Sequence, residues 1–391
     1  MTTGKENTNL LCVNLSSLIK ILSSFFVILL INTFLFFVFI QPKPSNPQRP
    51  GLGGVSPTAS SSKQALGYLA KENKNSSTKE VKGTEIKNTE GRAVYIGMWT
   101  QGFFDKNTNT LYPQVLHSLE QTTEKRFAIA HYYRGWEALD SPSLLSELNI
   151  IDANGWRPMV SVNPYFFDRC ESRGLPLYKA IAQGNCDDFL HSAGKQLKVF
   201  GKTLFLRFAW EMNIPSMEWE IAKTRSTNQD FILAWQRMHN VIYSENATNV
   251  LWIFSPDVSN NSYKEIYPGD AFVDWIGLDG YNWGTTQAWS KWQGFSEIFS
   301  KAYNEITSVA PNKPLMLAEV NTTDKNGDKS AWYQDMLANQ IPFNFPKINA
   351  VVFYNEDRQA QENVNWLIDV STDSLKSFSE NLKNPIYLSS F

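Results

Sequence analysis

The sequence predicts a (β/α)8 barrel (TIM barrel) over residues 91–391, and three observations carry that expectation. Eight short apolar runs lie at 93–99, 127–133, 158–163, 204–209, 250–255, 273–278, 315–320 and 350–354. Their apolar residues are mostly consecutive rather than alternating, as in parallel strands covered on both faces. The stretches between them change to a helical period, and strand–helix alternation repeated eight times closes a barrel. A doubly wound open sheet is the competing architecture. The first run ends Gly97-Met98-Trp99, however, without the Gly-x-Gly-x-x-Gly turn of a dinucleotide fold.

The helices read out in order. Ser141-Pro142 supplies an N-cap followed by proline at the first helical position, and that helix stops near Gly155. Phe189, Ala193, Leu197 and Phe200 make one helix face that ends at Gly201. Phe231, Trp235, Met238 and Ile242 make another. The fifth and sixth runs are separated by only 17 residues, so the helix there must be short or irregular.

The first 90 residues differ in composition. Residues 1–20 form a short N-terminal segment. Residues 21–40 are twenty consecutive uncharged residues, about 30 Å as a helix, which predicts a transmembrane signal-anchor rather than a cleaved signal peptide. Residues 41–90, rich in Pro, Gly and Ser, read as a disordered linker. The expectation is a single-pass membrane protein, the membrane a partner through that helix, with its large domain extracytoplasmic (periplasmic or extracellular).

Charge and composition narrow the function. With 36 Lys+Arg against 38 Asp+Glu the net charge is −2, which argues against a nucleic-acid partner. Three cysteines exclude a disulfide scaffold and an all-cysteine zinc site. Cys170 and Cys186 bracket a loop after the third strand and are either bridged or free thiols. His117, His131, His191 and His239 lack metal-ligand spacing, so neither a metal nor another cofactor is expected.

Chemistry in such a barrel sits at the C-terminal ends of the strands. The fourth strand delivers Arg207, Trp210 and Glu211, and the seventh ends near Glu319. The second carries His131, and the sixth ends with Asp279, Tyr281 and Trp283. Carboxylates at the ends of apolar strands are costly to bury unless paired or functional. Two of them facing each other across the barrel mouth are the machinery of glycoside hydrolysis. Trp99, Trp136, Trp210, Trp219, Tyr281 and Trp283, at or soon after strand ends, supply faces on which sugar rings stack, although core packing claims such rings equally often.

Four ordered motifs carry a resemblance to glycoside hydrolase family 26, a β-mannanase-like clan with glutamates on the fourth and seventh strands. They are RFAWEMN at 207–213, FILAWQRMHNVI followed by NVLWIFSPD, YPGDAFVDWIGLDGYNW at 267–283, and KPLMLAEVN at 313–321. The resemblance implies a retaining mechanism with Glu211 as acid/base and Glu319 as nucleophile, their carboxyls about 5 to 5.5 Å apart. It also implies Tyr281 beside the nucleophile, Arg207 holding it ionised, and His131 lining the reacting sugar's subsite. The family places histidine before its acid/base, where this chain has Trp210. The family's next tryptophan is also out of register here, with Ser216 and Met217 in that stretch and Trp219 further on. The expected partner is therefore a polysaccharide, β-mannan or another β-glycan. Transglycosylation and a non-catalytic carbohydrate-binding barrel remain as alternatives, and oligomeric state is not indicated.

Overall fold

The computed structural model describes residues 91–260 and 262–391. Eight parallel strands form the wall: β1 (Val94–Thr100), β2 (Ile129–Gly135), β3 (Arg157–Asn163), β4 (Leu204–Phe208), β5 (Val250–Phe254), β6 (Trp275–Asn282), β7 (Leu315–Thr322) and β8 (Ile348–Asn355). Each pairs with the next, and β8 returns to β1 with Tyr95 opposite Ala350, which closes the barrel. A two-residue strand, β9 (Tyr387–Leu388), adds to β1 at its start.

Side chains alternate across each strand, so every barrel strand has an inner and an outer face. Tyr95, Ile129, Met159, Phe205, Ile253, Met316 and Val352 fill the lumen as one cluster. The C-terminal Phe391 stacks on Tyr95 at 3.9 Å between ring centroids and packs against Phe205. The outer faces meet α1 (Pro113–Thr123), α2 (Pro142–Ala153), α3 (Leu177–Ala182), α4 (Asp187–Phe200), α5 (Asn228–Ser244), α6 (Phe295–Val309), α7 (Lys329–Gln334, continuing as a π-helix over Asp335–Asn344) and α8 (Thr372–Asn381).

Local chemistry sets these helices. Ser141 caps α2 with Pro142 at its first position. Thr227 and Asp230 form a reciprocal capping box at α5, whose buried residues are Phe231, Ala234, Trp235, Met238 and Ile242. Gly201 ends α4 in the left-handed conformation at φ 69°. The crossover from β5 to β6 carries two 3₁₀ turns, Tyr263–Glu265 and Asp270–Phe272, which is how so short a connection spans the barrel wall. Cys170 and Cys186 are joined as a disulfide, tying the loop after β3 to the start of α4.

One expectation is corrected. Among the described residues no helix is long and apolar enough to cross a membrane. The longest α-helix among these residues, α5, has 17 residues and carries Asp230 and Arg237, so its length and polarity both forbid a span. The expected anchor at 21–40 and linker at 41–90 lie outside the described residues. The (β/α)8-like barrel stands; the transmembrane helix, the membrane as partner and the single-pass extracytoplasmic localisation are not supported and are withdrawn.

Candidate active site

The C-terminal ends of the strands converge on one guanidinium. Arg207 points inward from β4, and its side chain is fully buried. It donates from Nη2 to Asp279 Oδ2 on β6 and from Nη1 to Glu319 Oε1 on β7, both at 2.6 Å. It also donates from Nη1 to Ser161 Oγ at 3.2 Å, and Ser161 bonds His131 Nε2 at 2.7 Å. Ser255 donates to both Asp279 oxygens at 3.0 and 3.1 Å. Burial depresses the Arg207 pKa, but the Asp279 and Glu319 charges outweigh it and raise the group above its ordinary value. It therefore stays cationic.

Glu319 accepts from three donors. Tyr133 Oη on β2 reaches Oε1 at 2.5 Å beside Arg207, and Tyr281 Oη donates to Oε2. Two hydroxyls and a guanidinium thus hold both oxygens of one carboxylate in place.

Glu211 sits in a contrasting setting. It follows β4 on a turn in which Ala209 and Glu211 both take left-handed backbone angles, φ 50° and 53°. Such angles cost non-glycine residues about 1–2 kcal/mol each and persist only where the surroundings impose them. Here the Glu211 amide donates to Ser255 O at 2.8 Å, Ala209 N to Val162 O at 2.9 Å, and Trp219 Nε1 to Trp210 O at 2.6 Å. Asn213 locks the turn to the loop after β5, donating to Asp257 O at 2.9 Å and Asn260 O at 2.8 Å. Burial pushes the Glu211 carboxyl well above the ordinary range. The charges of Glu319, Asp279 and Asp257 add to that push, and Arg207 opposes it. Burial raises Asp279 as well, against the pull of Arg207. Asp279 and Glu319 both accept hydrogen bonds from that cation, and Glu211 does not.

A raised folded-state pKa stabilises the fold fully below the unfolded value, and the benefit is lost as pH rises through the folded value. Glu211→Gln, a neutral isostere, is therefore expected to match the wild type near pH 4 and to melt a few degrees higher at pH 8.5. Thermal melts at the two pH values check this; an unchanged Tm at pH 8.5 would sink the assignment.

Aromatic rings line the surroundings. Trp99 stacks on Tyr354 at 4.4 Å and meets Tyr133 edge-on at 5.8 Å. Trp210 lies 5.1 Å from Tyr133, 4.4 Å from Trp219 and 5.5 Å from the Arg207 guanidinium. Trp283 and Tyr281 contact Trp366, at 5.0 and 4.9 Å. The strand ends thus bring together Glu211, Glu319, Arg207, Trp210, Tyr281, Trp283 and Trp99. His131 is fully buried one step below them. Burial and the Arg207 charge hold its pKa well below the ordinary histidine range, so it is neutral. Trp136 lies apart, packed against Phe167, Phe189 and Phe208 in the helix layer. Sequence reasoning passed over Tyr133, although it shares a strand face with His131 two residues earlier. Among the described residues no cluster of His, Cys, Asp and Glu could hold a metal.

The chain is similar to proteins already known. The model of glycosyl hydrolase family 26 matches residues 204–340. The chain is 29% identical over 272 residues to Endoglucanase H of Acetivibrio thermocellus, a match covering 68% of this chain and 28% of that protein. It is 23% identical over 175 residues to a mannan endo-1,4-beta-mannosidase of Bacillus subtilis, covering 43% of each. The chain thus spans less than half the length of either relative. A solved endo-beta-1,4-mannanase of Cellulomonas fimi shares the fold with TM-score 0.55 at 15% identity, over 76% of this chain and 72% of that one.

Proposed function

We propose that the chain is a retaining glycosidase of glycosyl hydrolase family 26, whose model matches residues 204–340, and that it cleaves a β-linked polysaccharide internally. The observation that carries this reading is the contrast between two buried glutamates. Glu319 is held by three donors, whereas Glu211 is driven toward its protonated form by burial and like charge. A carboxylate held by donors and a carboxyl raised by burial suit the roles of nucleophile and acid.

In the first step Glu319 attacks the anomeric carbon while the Glu211 proton passes to the departing glycosidic oxygen. Forming the glycosyl ester removes the Glu319 charge, so Glu211 loses its proton more readily. It then takes a proton from water, whose oxygen attacks the same carbon and releases Glu319. Arg207, Tyr133 and Tyr281 hold the nucleophile in place and aim it.

β-Mannan is the first substrate reading, since mannanases recur among the relatives and structural neighbours. A β-glucan is the second, favoured by the longer match to an endoglucanase and by Trp210 at the position before the acid/base. Release of reducing ends from β-mannan, mixed-linkage glucan, xylan and the source's own exopolysaccharide distinguishes these. NMR of the first-formed anomer tests the mechanism: a β-product is expected, and an α-product would exclude double displacement. Tyr133→Phe is expected to lower kcat about 10- to 100-fold, the effect of removing one hydrogen bond to a charged group, with KM little changed. An unaltered kcat would show that Arg207 and Tyr281 suffice.

A further inference from the structure

We propose that Trp289 is a carbohydrate platform at the rim of the cleft, holding a pyranose unit of the substrate beyond the one at Trp283. This rests on the glycosidase reading above and extends it to a site at which a long chain is gripped away from the bond it loses.

Trp289 has 72% of its surface exposed, the most of any large apolar side chain among the described residues. A lone exposed ring is unremarkable by itself. This one, however, ends a run of aromatics that starts at the nucleophile. Tyr281, which donates to Glu319, lies 4.9 Å from Trp366; Trp366 lies 5.0 Å from Trp283; Trp283 lies 5.5 Å from Trp289. Each step is one ring contact, and the run ends on the exposed ring.

The turn that presents Trp289 is fixed. Thr286 Oγ1 donates to Trp283 O at 2.7 Å, and Gln287 N to Ser290 Oγ at 3.1 Å. Gln287 Nε2 reaches Glu362 O at 2.5 Å and Asn363 Nδ2 reaches Thr286 O at 3.3 Å, bracing the turn on the loop after β8. A ring held outward on a braced turn loses little entropy when it binds, the condition for a useful stacking surface.

The surroundings select the occupant. Thr285, Gln287 and Ser290 are polar neighbours of Trp289 in the sequence, and no second large apolar side chain of this loop is exposed. A protein partner needs a broader apolar patch around such an anchor. A sugar needs one flat ring for its C–H face and polar groups for its hydroxyls.

The test compares the full-length wild type with Trp289→Ala and Trp289→Phe. The substrates are β-mannan, mixed-linkage glucan and xylan, together with trisaccharides of the same linkages. Retardation of each protein in gels containing each polymer gives a second readout. Trp289→Ala is expected to raise KM for the cleaved polymer about tenfold, with kcat and trisaccharide turnover unchanged, and Trp289→Phe to recover most of the loss. Equal KM in wild type and Trp289→Ala on a cleaved polymer would overturn the platform while leaving the glycosidase intact. No cleavage of any polymer, with retardation lost only in Trp289→Ala, would overturn the glycosidase and support the platform. Neither cleavage nor retardation by the wild type would overturn both.

Discussion

Glu319→Ala is expected to lower kcat on the polymer on the order of 10⁴-fold or more, because no other group can form the glycosyl ester. Azide should restore part of the rate. As a small anion it can occupy the vacated space and attack from the same side, giving an α-glycosyl azide. Glu211→Ala should fall by about 10²- to 10⁴-fold, and much less with a dinitrophenyl leaving group that needs no proton. Azide then intercepts the glycosyl-enzyme in place of activated water and gives the β-azide. The opposite anomeric configurations assign the roles without reference to the size of either loss. An α-azide from Glu211→Ala would reverse the assignment, and full activity in either variant would end the two-glutamate mechanism.

Arg207→Met should be the most destabilising change at the site. Its guanidinium is buried between Asp279 and Glu319, with Glu211 as a third carboxyl nearby. Removing one partner of a buried ion pair costs about 3–5 kcal/mol, which in a protein of this size lowers Tm on the order of 10 °C. The pH dependence carries the diagnosis. Asp279 is already raised by burial, and without the cation it rises further. A raised carboxyl stabilises the fold below its unfolded pKa and loses that benefit as pH rises through its folded value. The gap between variant and wild type should therefore be large at pH 8 and small at pH 4. Calorimetry at both values checks it, and a gap independent of pH would mean that lost packing, not uncompensated charge, is responsible.

How far the sequence exposed this site depends on what kind of signal each residue gives. The eight strands were visible because burial on both faces forces runs of consecutive apolar residues. A charged residue ending such a run stands out, as Arg207, Glu211 and Glu319 do. Trp136 shows the limit of that logic. It directly follows β2, but the 3₁₀ turn over Trp136–Asp140 swings its ring into the helix layer, where Nε1 donates to Tyr165 O at 2.8 Å. A position just past a strand end does not decide which side of the wall the ring takes. Tyr133 was legible in principle through alternation with His131, but its partner lies 186 residues away, and no local pattern encodes that pairing. Trp210 is legible as a departure from the pattern of the family the chain resembles. That its ring would pack between Tyr133 and Trp219 over Arg207 required the assembled barrel.

The closure of the barrel sets the order in which the chain can complete itself. β1, near the start of the described residues, pairs on one side with β2 and on the other with β8, and β9 adds to its beginning. During synthesis its edge toward β8 must wait, with hydrogen-bonding groups unpaired, until that strand has emerged. Folding dominated by such distant pairing is slow, and an open parallel edge is the place where two incomplete molecules associate. Phe391 and Tyr387 follow β8 in the chain and also meet β1, Phe391 by stacking on Tyr95 and Tyr387 by pairing with Val94.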